Sequence, residues 1–128
     1  MDRDRWILID TSVWVDFFRG SPRAARVADL LEENRILMHP WIVGELALGG
    51  LGRRRARVLT DLQRLPTTLV ISDTEVLDFI ESRRLYGRGV GWVDAQLLGC
   101  ALLSDAGFWT FDMPAARAAD ALGLSPGG

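Results

Sequence analysis

The 128-residue sequence has no lysine, a single histidine and a single cysteine. With one cysteine, Cys100, the chain cannot form an internal disulfide or a zinc site built from several cysteines. Cys100 lies in the apolar stretch LLGCALL, which predicts a buried structural thiol. No apolar run approaches 18 residues and no signal peptide is present, so we expect a soluble, cytoplasmic protein without a membrane partner.

The composition indicates one globular domain over residues 1–128. Apolar residues make up 48% of the chain and charged residues 25%, which is enough for a continuous core. The net charge of −2 argues against general polyanion binding by the whole molecule. All 15 basic residues are arginines, whose planar guanidinium suits phosphate and carboxylate, although a GC-rich genome would produce the same bias.

Short apolar segments alternate with helical patterns along the chain. This alternation predicts an α/β fold, a three-layer α/β/α sandwich with a mostly parallel central sheet. The predicted strands are RWILID (5–10), RILMHP (35–40), TTLVIS (67–72) and FWTF (108–111). The predicted helices cover 12–20, 21–34, 40–50, 53–65, 72–87, 92–107 and 113–124, with Thr11 or Ser12, Ser21, and Ser72 or Asp73 as caps.

Four acidic residues stand at positions where this fold would bring them together. Asp10 and Asp112 follow the first and last predicted strands, and ligands of open α/β sheets bind outside those carboxyl ends. Asp94 begins an apolar helix after a glycine-rich connector. Glu45 lies inside the apolar helix WIVGELAL, so we expect its carboxylate to be buried and therefore paired or bound to a cation.

Two interpretations of these acids remain open on spacing alone. Carboxylates gathered without lysine repel each other, and a Mg²⁺ or Mn²⁺ ion would relieve that repulsion and activate water for phosphodiester cleavage. Alternatively, Asp94 and Asp112 are helix caps, and Glu45 pairs with an arginine from RRRAR.

Four motifs in this order resemble the PIN-domain nucleases, and among them the VapC-type toxins of bacterial toxin–antitoxin pairs. They are ILIDTSVWVDFF, WIVGELALG, GVGWVDAQLLGCALL and FWTFDMPAARAADALGL. The resemblance covers nearly the whole chain. It implies a PIN-like domain with Mg²⁺- or Mn²⁺-dependent endoribonuclease activity, a homodimer, and inhibition by a cognate antitoxin.

The resemblance also implies roles for individual residues. Asp10, Glu45, Asp94 and Asp112 match the acidic quartet of the family. Asp10, Asp94 and Asp112 would ligate metal, while Glu45 would act directly or through bound water. Ser12 would orient Asp10 or a metal-bound water, or would simply cap a helix. His39, in the turn before the Glu45 helix, is expected to be structural.

Basic and aromatic residues supply candidates for substrate contact. Arg53, Arg54 and Arg55 lie at a predicted helix start, where the helix dipole disfavours cations, which hints at contact with RNA or antitoxin rather than a plain solvated surface. Trp92 is the aromatic residue best placed for RNA contact. The other tryptophans (Trp6, Trp14, Trp41 and Trp109) and Phe18 are expected to pack, and Asp16 is expected to be solvated.

Other functional classes fit less well. A haloacid-dehalogenase-like phosphatase needs a second aspartate where this chain has Ser12, and it also needs a lysine. A response-regulator receiver needs a lysine as well. A PIN-fold nuclease acting on DNA or in RNA processing, and a non-catalytic interaction module, remain as alternatives.

Overall fold

A three-stranded parallel sheet forms the centre of the computed structural model, which describes residues 5–126. Strand β1 (Ile7–Ile9) lies between β2 (Ile36–Leu37) and β3 (Gly107–Trp109). All three residues of β1 are fully buried, as expected for a parallel strand covered on both faces. The predicted α/β class with a parallel sheet is confirmed.

Seven α-helices connect and cover the strands in the described part of the chain. Helices α1 and α2 link β1 to β2, and helices α3 to α6 link β2 to β3. The helices are α1 (Thr11–Phe18), α2 (Arg26–Glu32), α3 (Pro40–Ala47), α4 (Arg55–Gln63), α5 (Asp73–Arg83), α6 (Trp92–Leu103) and α7 (Met113–Ala121), with 3₁₀ turns at Pro22–Ala24 and Gly52–Arg54. Within residues 5–126, none of these helices combines the length and apolar character needed to cross a membrane.

Helix α6 is the most deeply buried helix, which explains why its sequence is apolar apart from Asp94 and Gln96. Its residues from Ala95 to Ala101 are all buried. A Cβ on Gly99 would lie 2.7 Å from Ile71 Cδ1, so glycine allows the segment before α5 to pack closely on α6. The prediction for Cys100 is confirmed, because it is fully buried and burial raises the pKa of its thiol.

The predicted strand TTLVIS is wrong. In this segment only Thr67 forms a β-bridge, an isolated parallel bridge to Met38, the residue after β2. Four residues later, the side chain of Gln96 in α6 forms two hydrogen bonds with the backbone of Ile71. The Ile71 N–H donates to Gln96 Oε1 at 3.1 Å, and Gln96 Nε2 donates to the Ile71 carbonyl at 3.0 Å. The backbone of Ile71 is therefore hydrogen-bonded to a side-chain amide instead of to a neighbouring strand, which the apolar, β-branched sequence had predicted.

Several predicted boundaries and caps also change. The helix expected over 21–34 is a 3₁₀ turn followed by α2, and the Ser21 side chain does not cap it. Helix α6 ends at Leu103 rather than 107, and β3 ends at Trp109, so Thr110 lies beyond the ladder. The Ser72 cap is confirmed, with a reciprocal capping box to Glu75.

The aromatic predictions divide by position. Trp14 is buried as expected, and it stacks on Phe18 with ring centroids 5.7 Å apart. Trp6 is 39% exposed, which contradicts the expectation that it is a core residue. Phe18 is equally exposed, yet it packs as predicted, against Trp14 and Phe17. Trp6 and Phe18 both lie near the ends of their elements, where a short strand or helix leaves one side of a large ring uncovered.

Candidate active site

Asp10 lies at the carboxyl end of β1 and occupies the N-cap position of α1. Its side chain makes no capping bond; instead Oδ2 accepts hydrogen bonds from Ser12 Oγ at 2.8 Å and from Thr110 Oγ1 at 2.9 Å. Asp10 is 8% exposed. The prediction that Thr11 or Ser12 caps this helix is therefore wrong, because the Ser12 hydroxyl faces Asp10 rather than a free helix N–H.

The same two hydroxyls join Asp10 to Asp112. Ser12 Oγ accepts from the Phe111 N–H at 3.0 Å, and Thr110 Oγ1 accepts from the Asp112 N–H at 3.1 Å. Asp112 is the N-cap of α7, and its Oδ2 accepts from the Ala115 N–H at 3.1 Å. The cap interpretation of Asp112 is thus correct, yet its other carboxylate oxygen has no donor among residues 5–126 and is free for a ligand.

Asp94, in the first turn of α6, is only partly exposed and has no hydrogen bond or ion pair in the described part of the chain. Burial raises the pKa of Asp94 to about 7, with further contributions from the negative charges of Asp10, Asp112 and Glu45. The charges of the other three predicted acids thus act on Asp94. The four side chains therefore lie near enough to influence one another electrostatically, although no three of them stand close enough to share one ion directly within residues 5–126.

Glu45 differs from the prediction, because its side chain is exposed rather than buried. Helix α3 buries Ile42 and Leu46 instead. Glu45 Oε1 accepts a hydrogen bond of 2.6 Å from Thr11 Oγ1, at the start of α1. Within residues 5–126 it forms no ion pair with an arginine, so the alternative pairing is not observed.

The donor set fits a hydrated divalent cation. Among the described residues, Asp10, Asp112 and Glu45 each keep one carboxylate oxygen without a protein donor, and Asp94 keeps both. No three Asp, Glu, His or Cys side chains of residues 5–126 stand close enough to hold one ion together. Mg²⁺ keeps several bound waters and needs only one or two direct carboxylate ligands. Carboxylates that are too far apart to share one ion directly can therefore still bind a hydrated cation together.

A buried polar cluster lies behind the helices that carry Glu45 and Asp94. His39 is fully buried and caps α3, its Nδ1 accepting from the Trp41 N–H at 3.0 Å. Because Nδ1 is an acceptor, the neutral ring carries its proton on Nε2, which lies 3.4 Å from Gln96 Oε1. Burial lowers the pKa of His39, against a smaller opposite effect of the Gln96 contact. The expected structural role of His39 is confirmed.

Sequence reasoning did not identify Thr110 or Gln96. Thr110 is the polar residue of FWTF, two positions before Asp112, and a hydroxyl at a strand end is a signal that could have been read. Gln96 stands in an otherwise apolar helix, where a buried amide must find partners. Its partners, Ile71 and His39, lie far away in sequence, so no spacing rule could name them.

The predicted substrate contacts lie on exposed surface. Arg53 and Arg54 belong to a 3₁₀ turn and Arg55 begins α4, and together with Arg57 the first two border a shallow cleft of about 730 Å³. Trp92 is the first residue of α6 and is 44% exposed. Asp16 is not solvated as predicted: its side chain is 19% exposed and forms a 2.6 Å ion pair with Arg23.

Comparison with known proteins identifies the family of the chain. The PIN domain family matches residues 7–121 of the chain. Two proteins named Ribonuclease VapC32, from Mycobacterium tuberculosis strains CDC 1551 / Oshkosh and ATCC 25618 / H37Rv, are each 44% identical to the chain over 107 residues. The matched segment covers 83% of this chain and 84% of either relative. The resemblance noted in the sequence is confirmed, and the chain belongs to the PIN-domain family and to its VapC type.

Proposed function

We propose that residues 1–128 form a single PIN-like domain that acts in the cytoplasm as a VapC-type toxin, an endoribonuclease dependent on Mg²⁺ or Mn²⁺. One observation carries the proposal: burial and the charges of Asp10, Asp112 and Glu45 raise the pKa of Asp94 to about 7. Such an acidic pocket is unfavourable by itself and becomes favourable when it binds a cation. The similarity to proteins named ribonucleases supports RNA as the substrate.

In this proposal the residues of the chain have distinct tasks. Asp10, Asp94 and Asp112 would hold the ion, one or two of them directly and the rest through its bound waters; the ion supplies Lewis acidity and lowers the pKa of water when bound. Ser12 and Thr110 donate to Asp10 Oδ2 and so orient its free oxygen toward the pocket. Glu45, held by Thr11, would orient the attacking water and take up its proton. No covalent protein intermediate is required.

Substrate RNA would also need contacts outside the acidic pocket. We assign this task to Arg53, Arg54 and Arg55, which are exposed beside the cleft at the start of α4, and to Trp92, which is exposed two residues before Asp94. Arginines supply phosphate contacts that do not depend on sequence, and an exposed indole can stack on an unpaired base.

The proposal includes a homodimer and a cognate antitoxin. An apolar groove of about 330 Å³ between α1, α2 and α4 supports a partner segment, and its walls include Trp14, Phe17, Leu31 and Leu62. Large apolar side chains elsewhere on the surface, such as Leu69, Leu77 and Leu103, support self-association. Light scattering of the isolated chain, and copurification with the product of a neighbouring small gene, would test these two parts.

The nuclease proposal is tested by cleavage of single-stranded RNA with wild type and Asp94→Asn. The wild-type chain should cleave RNA with Mg²⁺ or Mn²⁺ and stop when a chelator is added. Asp94→Asn should lose about 10³-fold in rate, because it loses several kcal/mol of transition-state stabilisation. The matched control is Asp105→Asn. Asp105 precedes β3, so it lies at the amino-terminal end of the parallel strands, opposite the end at which the site lies.

Each outcome separates the competing functions. Metal-dependent cleavage that survives in Asp94→Asn would contradict the assigned site. Cleavage of single-stranded DNA in preference to RNA would favour a DNA nuclease with the same fold. No cleavage, together with an unchanged melting temperature on addition of Mn²⁺, would favour a non-catalytic interaction module.

A further inference from the structure

Arg23 is held in one orientation at the edge of the acidic site. Its Nε donates to Asp16 Oδ2 at 2.6 Å, and its Cζ lies 3.9 Å from the centroid of the Phe111 ring. The guanidinium is thus fixed from one side by a carboxylate and from another by an aromatic face. An arginine fixed in this way loses little entropy when it binds an anion.

A short series of contacts connects Arg23 to the site. Phe111 lies between Thr110 and Asp112, and its N–H donates to Ser12 Oγ at 3.0 Å, which in turn is 2.8 Å from Asp10 Oδ2. With ordinary covalent dimensions for Phe111, these contacts place the guanidinium within roughly 15 Å of the Asp10 carboxylate. A polynucleotide bound at Asp10 would therefore pass within reach of Arg23.

The two contacts leave most of the guanidinium unused. The side chain of Arg23 is 62% exposed, while that of Asp16 is 19% exposed. The ion pair uses Nε, and among residues 5–126 no acceptor contacts the terminal nitrogens Nη1 and Nη2. An exposed cation with free, directed donors matches the planar, bidentate recognition of a phosphate group.

We propose that Arg23, oriented by Asp16 and Phe111, binds a phosphodiester of the RNA strand close to the one that is cleaved. This inference rests on the proposed ribonuclease function and adds a contact to it that the arginines of α4 do not provide. Arg23 differs from Arg53 and Arg54, because those two have no ion pair in the described part of the chain to hold them in one orientation. Phe111 and Asp16 act as positioning residues for the arginine.

The test measures binding of a 5′-labelled single-stranded RNA by fluorescence anisotropy at several salt concentrations. Asp94→Asn serves as the non-cleaving parent, and Arg23→Gln and Asp16→Asn are added to it separately. Both additions break the same ion pair, but only Arg23→Gln removes a cation. We expect Arg23→Gln to weaken binding about 3- to 10-fold and to lower the slope of log K against log salt by about 0.7, the effect of one lost single-strand phosphate contact.

Asp16→Asn keeps a side-chain oxygen that can accept from Arg23 Nε, so the arginine stays oriented, and it removes a negative charge. This variant should therefore bind RNA as tightly as the parent or more tightly. Equal weakening by both variants would show that the ion pair only stabilises the fold and would overturn the inference, as would an Arg23→Gln variant that binds like the parent. In either case, wild-type RNA cleavage would leave the ribonuclease proposal intact. A parent that binds no RNA, with a wild type that cleaves none, would overturn both.

Discussion

The acidic site has two sides that are built by different physical means. On the strand side, formed by Asp10, Ser12, Thr110 and Asp112, every acid accepts protein hydrogen bonds. On the helix side, formed by Glu45 and Asp94, Asp94 has no donor among residues 5–126, and burial raises its pKa to about 7. The strand side is organised before any ligand arrives, whereas the helix side contains charge that a ligand must neutralise.

This difference indicates how a pocket of like charges is compatible with folding. Hydroxyl and backbone donors hold the side chains of Asp10 and Asp112 in place at the end of the sheet. The repulsion is concentrated on Asp94, which can take up a proton near neutral pH when no cation is bound. Glu45 is exposed, so water screens its charge.

The largest expected effect comes from breaking the strand side at Thr110. Thr110→Val removes the hydroxyl that donates to Asp10 and accepts from the Asp112 N–H. Thr110 is only 7% exposed, so water cannot readily replace these two bonds. We expect a loss of about 2–3 kcal/mol in unfolding free energy and a marked fall in RNA cleavage. Thr110→Ser keeps the hydroxyl, so its stability in urea should stay close to wild type. Equal losses in both variants would contradict a role for the hydroxyl.

A smaller effect, of opposite sign, is expected on the helix side. The folded-state pKa of Asp94 is raised from 3.8 to about 7, so ionisation of Asp94 lowers stability as the pH rises through this range. With a chelator at pH 8, Asp94→Asn should therefore be about 1–2 kcal/mol more stable than wild type, allowing for solvent screening of a partly exposed group.

Two controls define that stability measurement. At pH 4 most of the difference should vanish, because the wild-type carboxyl is then largely protonated. Asp10→Asn should instead be destabilised at pH 8, since Asp10 loses charge-assisted bonds from two hydroxyls. Urea unfolding curves in which both substitutions shift stability in the same direction would remove the distinction between the two sides.

The smallest expected effect concerns His39, which supports the helix that carries Glu45. Burial lowers the folded-state pKa of His39, so its contribution to stability is present above pH 6.5 and is lost as the pH falls below that value. Protonation would also turn the Nδ1 acceptor of the Trp41 N–H into a donor. The loss should be about 1 kcal/mol, the typical size of an N-cap.

His39→Asn keeps a capping oxygen and removes the titration, so its stability should fall less than that of wild type between pH 7 and pH 5. Thermal unfolding across this range measures the difference between the two proteins, in which the carboxylates common to both cancel. Parallel pH profiles would show that folding leaves the proton affinity of His39 unchanged, which would contradict a pKa lowered by burial.

The sequence was most informative where one residue type has few physical uses. Acids after predicted strands, at Asp10 and again at Asp112, predicted a site at the carboxyl ends of the strands. In the structure both residues follow strands, as the N-caps of α1 and α7. The strand TTLVIS failed because its β-rich composition says nothing about its partner. The partner of Ile71 is the side chain of Gln96, which no local pattern can reveal.

Glu45 illustrates a second limit of sequence reasoning. Its apolar neighbours predicted a buried carboxylate, but a helix of eight residues packed on α1 and α4 buries only one stripe, here Ile42 and Leu46. Glu45 falls on the other side and meets Thr11. Asp16 shows the reverse error, because an acid two turns into a surface helix proved to be held by Arg23.

The sequence by itself determined the α/β class and the parallel sheet, because apolar periodicity is a local property, and its motifs predicted the four acids as site residues. Only the tertiary structure decided how those acids share their charge. The hydroxyls that hold Asp10, the absence of any donor to Asp94 within residues 5–126, and the Arg23–Phe111 contact all join residues distant in sequence. Hydrogen bonding and burial depend on such distant neighbours, so the pKa of Asp94 and the orientation of Arg23 arise only once the chain has folded.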